Sequence, residues 1–131
     1  MTTWTDLVQY IHNNYKIADE NPTMIKMVFE TGGMRSQVVL VWHLTLNDGS
    51  EQWVQIESPF AEVSSVDLTA VLEQIGNTVC GGLAQYGGLV TFRHSVPLEN
   101  LNINEFESPL RLVTTTADNL ERQFTGGGDK F

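Results

Sequence analysis

Apolar residues recur every three or four positions near the C-terminal end of the chain. They are Ile103, Phe106, Leu110, Val113, Ala117, Leu120 and Phe124. This spacing is typical of one face of an α-helix. The pattern therefore predicts a long amphipathic helix that ends near Phe124, and we expect its apolar stripe to cover a sheet or another chain.

A second helical pattern starts at the N-terminal end. Its apolar positions are Trp4, Leu7, Val8, Ile11 and Tyr15. Thr3 and Asp6 have the spacing of a capping box just ahead of it. Residues 18–22 are polar and predict a linker, whereas residues 23–30 alternate as a strand does and end at a Gly32-Gly33 turn.

Residues 36–46 are apolar on both alternating faces, which predicts a central strand. A turn signal at residues 47–49 then predicts a hairpin into residues 51–58. A two-residue loop would place Trp42 opposite Gln55, and a three-residue bulged loop would place Trp42 opposite Val54. We predict the bulged loop, because it sets apolar residues opposite apolar residues.

Helical spacing returns over residues 68–86, with Ser64 as a candidate cap and a stop at Gly87-Gly88. Gly76, Gly81 and Gly82 interrupt this pattern, and each costs about 1 kcal/mol relative to alanine inside a helix. Either the helix breaks near residues 80–82 or another backbone lies close to it. Residues 89–96 predict one more strand, which is followed by Pro97.

Together these elements predict a single α+β domain over residues 1–125, in the order α-β-β-β-α-β-α. The sheet is expected to be antiparallel, with a three-strand meander plus a further strand or two, and three helices are expected to flank it. Residues 126–131 are rich in glycine and predict a flexible tail.

The charge and the cysteine content of the chain limit the classes of binding partner and the cellular compartment that we expect. Sixteen acidic against seven basic residues give a net charge of −9, and no Lys or Arg lies between Arg35 and Arg93. Such a chain repels phosphate backbones and anionic lipids, so we expect no nucleic acid or membrane partner. The first residues lack the pattern of a secretory signal and Cys80 is the single cysteine, which together predict a cytoplasmic protein.

No segment carries a catalytic signature. His12, His43 and His94 lack metal-ligand spacing, and no nucleophile elbow or phosphate loop is present. Cys80 lies among apolar residues, where a thiol packs as a small hydrophobe. We therefore expect no catalytic, metal or cofactor site. A hydrolase hypothesis would need a carboxylate and a hydroxyl beside His43 or His94.

The positive signal is a surplus of apolar residues on the sheet. Val39, Val41, His43 and Trp53 are expected to share a second sheet face, and we take them as the candidate partner-binding residues. Two alternatives stay open. Either helices cover both faces of the sheet, or part of the second face is left to a partner protein or to a second copy of the chain.

The chain also resembles the type III secretion chaperone-like fold, in particular its YbjN-like branch. The resemblance is carried by the meander over residues 24–58, by Gly-Leu-Val-Thr-Phe-Arg-His-Ser-Val-Pro at residues 88–97, and by Thr-Ala-Asp-Asn-Leu at residues 116–120. It implies a layered α+β domain, often dimeric, that binds other polypeptides and is not an enzyme. The glycines of the predicted second helix depart from the secretion chaperones, which commonly dimerise through that helix.

The sequence thus favours a non-enzymatic, chaperone-like or regulatory module that binds a protein or peptide client through apolar sheet and helix surface, and that forms a homodimer. The alternative is a cystatin-like α+β roll that binds a small ligand in an enclosed pocket. The shape of the sheet and the position of its apolar residues distinguish the two.

Overall fold

The computed structural model describes residues 3–131. Its helices are α1 (Trp4–Asn14), α2 (Leu68–Ile75) and α3 (Ile103–Phe124), with a short 3-10 turn at Val63–Ser65. Its strands are β1 (Ile17–Asn21), β2 (Met24–Gly32), β3 (Arg35–Leu46), β4 (Glu51–Glu62), β5 (Gly82–Tyr86) and β6 (Leu89–Pro97). The strands form one antiparallel sheet in the order β1-β2-β3-β4-β6-β5, which confirms the predicted α+β class.

Two strands fall on segments where the pattern predicted something else. β1 occupies the predicted polar linker, and β5 occupies the second half of the predicted second helix. Both are five-residue strands at the edges of the sheet, where backbone pairing with one neighbour forms the strand and no apolar alternation is needed. The spacing of apolar residues therefore did not predict β1 or β5.

The second helix breaks early. α2 ends at Ile75 with Gly76 as its cap, so the helix does break, but before the expected position at residues 80–82. Gly81 has a φ of +86°, and a Cβ built on it would lie 2.4 Å from the Phe92 ring. This glycine lets the chain turn into β5 directly beside the core.

The β3–β4 hairpin has the register of the two-residue loop and not that of the bulged loop. Trp42 lies opposite Gln55 and His43 opposite Val54, so the predicted bulged loop is wrong. The turn covers residues 47–50: the Ser50 N–H donates to the Asn47 carbonyl, and residues 47–49 all have positive φ. The strands on either side of it keep the register of the two-residue loop. This register does not bury Gln55 in the core, because Gln55 faces the side of the sheet that the helices leave uncovered.

All three helices pack on one face of the sheet. α1 stacks Trp4 on His43, α2 buries Val71, and α3 buries most of its predicted stripe. The sheet side chains beneath them include Ile25, Met27, Val39, Val41, Val54, Ile56 and Phe92, each at most 1% exposed. The core of the domain is the layer between the helices and this face.

α3 is one helix from Ile103 to Phe124, although Ser108-Pro109 fits a cap followed by proline at a first helical position and so predicts a helix start there. Asn102 accepts a hydrogen bond from the Glu105 N–H and Glu105 returns one to the Asn102 N–H, which completes a capping box. Pro109 lies inside the helix, in its second turn. The stripe is confirmed from Phe106 onward, whereas Ile103 is 48% exposed.

The segment over residues 126–131 packs on the domain, so the expected flexible tail is wrong. Arg35 Nη1 donates to the Gly127 carbonyl at 3.0 Å, and the Ser36 N–H donates to the Asp129 carboxylate at 3.2 Å. The Val38 N–H donates to the Phe131 carbonyl at 2.8 Å. The pairing of β3 with β4 stops at Leu40, so these strand N–H groups need other acceptors and the C-terminal segment supplies them.

Within residues 3–131, none of the helices combines the length and the apolar character that crossing a bilayer requires.

Candidate functional site on the open face of the sheet

The sheet face opposite the helices is apolar and accessible; we call it the open face. Strand alternation and register assign to it Met24, Lys26, Val28, Val38, Leu40, Trp42, Leu44, Leu46, Trp53, Gln55, Glu57, Tyr86, Thr91 and Arg93. Val28, Leu44, Leu46 and Tyr86 are 48%, 37%, 51% and 49% exposed. Large apolar side chains gathered on one accessible face make it a candidate interaction surface.

A buried carboxylate anchors the middle of the open face. Glu57 is only 3% exposed, although no helix covers it. Its Oε1 accepts a hydrogen bond from Trp42 Nε1 at 3.2 Å, and its Oε2 accepts one from Thr91 Oγ1 at 2.7 Å. The Trp42 ring in turn lies 5.8 Å from the Tyr86 ring. These contacts hold the indole in one orientation, so Trp42 is preorganised as a contact residue.

The hairpin register decides where the predicted partner-binding residues lie. Trp53 is on the open face, half-buried beside Leu44, as expected. Val39 and Val41 are 0% exposed beneath the helices, so their expected position on an open face is wrong. His43 shares their face and stacks on Trp4 at 5.1 Å, so it too is misplaced in that prediction.

The residues of this candidate site that the pattern missed are Trp42, Leu44, Glu57 and Tyr86. A signal for the first three was present in the loop, because Asp48-Gly49 is a preferred sequence for a two-residue hairpin turn. That turn places Trp42 and Trp53 on the same face. No comparable signal existed for Tyr86, which reaches the face only because β5 joins the far edge of the sheet.

The groups that a hydrolase would use are not assembled around His43. Its Nε2 lies 2.8 Å from the Gln52 amide oxygen and its ring faces Trp4, and neither partner is a carboxylate or a hydroxyl. Burial raises the pKa of the Cys80 thiol, which disfavours the reactive thiolate. The geometry at these two residues gives the hydrolase hypothesis no support.

Three carboxylates meet beside the C-terminal segment. Oxygens of Asp118, Glu121 and Asp129 lie within 4.8 Å of one another. Arg35 Nε is 3.1 Å from Asp118 Oδ1, and Arg35 Nη2 is 3.7 Å from Glu121 Oε1. Burial raises the pKa of Glu121, whereas hydrogen bonds from the N–H groups of residues 130 and 131 lower it. Because Arg35 supplies the positive charge that a cation would supply, we interpret this cluster as structural.

A third polar cluster lies between α1 and α3. Tyr10 Oη donates to Glu107 Oε1 at 2.5 Å, and Tyr15 Oη contacts both oxygens of Glu107 at 2.6 and 2.5 Å. Beside it, a cleft of about 400 Å³ opens to solvent between α3 and the end of β2. Because the cleft opens to solvent, it gives no support to the enclosed pocket of the cystatin-like alternative.

The contacts of Tyr10 and Tyr15 with Glu107, which we call the Glu107 clamp, predict an altered titration of both tyrosines. The hydrogen bond to Glu107 is the largest cause that raises the pKa of Tyr10 to about 12, and burial is the largest cause that raises the pKa of Tyr15. A raised folded-state pKa stabilises the fold below pH 10, and this stability is lost as the pH rises through the folded pKa. Phenolate absorbance should show Tyr10 titrating near 12 and the titration of Tyr15 shifted in the same direction.

In the Glu107→Gln variant, the pKa of Tyr10 should return toward 10, because its main perturbing group is gone. An unchanged titration in that variant would contradict the clamp.

The chain matches no protein-family model, and no curated protein matches it.

Proposed function

We propose that this chain is a non-enzymatic protein-binding module whose open face binds a polypeptide partner. The observation that carries the proposal is a sheet with all three helices on one side and two tryptophans on the other. Trp42 and Trp53 are half-buried in the isolated chain, so each has surface left to lose on binding. Tryptophan and tyrosine are the residue types enriched at the energetic centres of interfaces.

The arrangement of the face supports an apolar contact area with polar residues beside it. Trp42, Leu44 and Trp53 are neighbours on the face, Gln55 lies opposite Trp42, and Lys26 and Arg93 lie one row further along the sheet. Interfaces share this anatomy of apolar centre and polar surround. Because Glu57 has its hydrogen bonds within the chain, it need not lose a partner when the face is covered.

Charge favours a partner of another sequence over a second copy. Self-association would bring two chains of net charge −9 together, whereas a basic polypeptide would be attracted and a neutral one would not be repelled. We therefore propose a non-acidic polypeptide client, with the homodimer as an outcome that the experiment distinguishes. A cytoplasmic location and a chaperone-like or regulatory role belong to the same proposal.

The proposal predicts that peptide binding depends on the two tryptophans. An array of apolar peptides with basic, neutral or acidic flanks would be screened by the change in tryptophan fluorescence. We expect the basic and neutral peptides to bind, and Trp42→Ala and Trp53→Ala each to weaken binding by about tenfold or more, because each removes a central aromatic contact. Val79→Ala is the control, since Val79 is 100% exposed and lies away from the open face.

The outcomes separate the candidates. Binding that survives both tryptophan variants, or no binding by any peptide, would refute the proposed surface. Light scattering would be run alongside. A dimer that is lost in Trp53→Ala would show that a second copy occupies the face, and this would overturn the client proposal. Far-ultraviolet circular dichroism would confirm that each variant is folded.

A further inference from the structure

The cleft between α3 and the end of β2 carries a second inference, which does not depend on the open face. Its walls include Tyr15 and Phe29, its polar groups include Glu30, Thr31 and Glu107, and Leu110 contributes further apolar surface. Phe29 and Thr31 alternate on the helix-covered side of β2, whereas the proposed client surface is on the opposite side. The two sites can therefore be tested separately.

Glu107 is a half-buried carboxylate whose hydrogen-bond partners among residues 3–131 are neutral hydroxyl groups. Its two oxygens accept hydrogen bonds from the Tyr10 and Tyr15 hydroxyls, and phenol groups are uncharged at neutral pH. Arg111 lines the same cleft one turn further along α3, yet within residues 3–131 no ion pair joins it to Glu107. A partly desolvated carboxylate without a cation is costly.

The walls of the cleft suit a cation that carries an apolar chain. The Tyr15 and Phe29 rings meet edge to face, with centroids 5.6 Å apart. Aromatic faces attract ammonium and guanidinium groups, most strongly where water is partly excluded. Leu110 gives the cleft an apolar contact surface.

An unpaired hydroxyl group also supports a ligand site in this cleft. Thr31 Oγ1 is buried and has no hydrogen-bond partner among residues 3–131. Buried polar groups in folded proteins almost always have a partner, and an unsatisfied one is typical of a place where water or a ligand belongs. Thr31 lies in the lining of the cleft, next to Glu30.

We propose that this cleft binds the cationic end of an alkylammonium compound, with the ammonium group near Glu107 and the alkyl chain against Tyr15, Phe29 and Leu110. A lysine side chain presents this group, and so does a free aliphatic amine. The chemistry is the same for both sources. The volume of about 400 Å³ accommodates a chain of four or five carbons.

The test uses the full chain and three probes of matched length. n-Butylammonium would be titrated against uniformly labelled protein and followed by the NMR signals of the Tyr15 and Phe29 rings, with n-butanol and butyrate as the neutral and anionic comparisons. We expect saturable binding of the ammonium, with a dissociation constant on the order of 1 mM for so small a ligand. The alcohol and the carboxylate should bind at least about tenfold more weakly.

Two variants and a control locate the site. Glu107→Gln keeps the shape of the side chain and removes its charge, and Phe29→Leu removes the aromatic wall while the carboxylate stays. We expect Glu107→Gln to weaken ammonium binding by about tenfold and Phe29→Leu by a few fold. Glu73→Gln is the matched control, because it makes the same charge change at an exposed position on α2 and should leave binding unchanged.

Each outcome decides the proposal. Equal binding of butanol, undiminished binding by Glu107→Gln, or no saturable shift would overturn it. A lysine-containing tripeptide with blocked ends would identify the source. Tighter binding of the peptide than of butylammonium indicates a polypeptide side chain, and weaker binding indicates a free amine. Thermal melting of each variant would show that losses are not due to unfolding.

Discussion

Replacing Gly81 with alanine is expected to lower the free energy of unfolding by about 3 kcal/mol. The backbone at Gly81 has a φ of +86°, where a side chain is strained, and the added Cβ would lie 2.4 Å from Phe92 Cζ and 3.0 Å from the Arg93 carbonyl oxygen. Phe92 is fully buried, so its ring cannot move aside without disturbing the core. Urea denaturation followed by circular dichroism would measure the loss.

Gly82→Ala is the control for this prediction. A Cβ on Gly82 meets nothing within 4 Å and its φ is not in the strained range, although it is the residue next to Gly81 and begins β5. We expect this variant to change stability by less than about 1 kcal/mol. Similar losses in both variants would contradict the close approach of Gly81 to Phe92.

Replacing Arg35 with methionine is expected to destabilise the domain by about 3 kcal/mol, because the substitution leaves two buried carboxylates without their cation. Asp118 and Glu121 are 4% and 0% exposed, and Arg35 is 3.1 Å from the first and 3.7 Å from the second. Arg35 also donates to the Gly127 carbonyl, so the C-terminal segment should loosen as well. Chemical denaturation would measure the first effect.

Hydrogen exchange would measure the second effect. The Ser36 and Val38 amides donate to Asp129 and Phe131, so faster exchange at these two amides reports release of the segment. Arg122→Met makes the same charge change on the exposed side of α3 and should cost little. Equal destabilisation by the two variants would show that Arg35 does not neutralise a buried cluster.

The hairpin register is the structural fact on which the proposed function depends. A shift of one residue exchanges the two faces of a strand, because side chains alternate. With the observed register, Trp42 and Trp53 share the open face, and Val39 and Val41 lie in the core. The pattern of residues 36–46 is compatible with either outcome, since both of its faces are apolar. Only pairing with β4 and the position of the helices choose between them.

The helices show which elements the local spacing of apolar residues predicts and which it does not. The stripe of α3 predicted a helix that ends at Phe124, and the helix ends there, because burial of one face repeats with the helical period. The helical pattern over residues 68–86 failed beyond Ile75. Leu83 and Tyr86 fit the helical spacing, but a helix that reached them would have to include Gly76, Gly81 and Gly82, which are unfavourable in a helix. The chain forms an edge strand there instead.

The sequence by itself determined the α+β class, the long C-terminal helix, the central strand and the acidic surface, because each follows from residues close together in the chain. The tertiary structure decided which face of β3 is open, that β1 and β5 extend the sheet, and that residues 127–131 pack on β3. It also joined Glu107 to Tyr10 and Tyr15 across more than ninety residues. These features depend on hydrogen bonds and packing between distant segments, and no local periodicity encodes them.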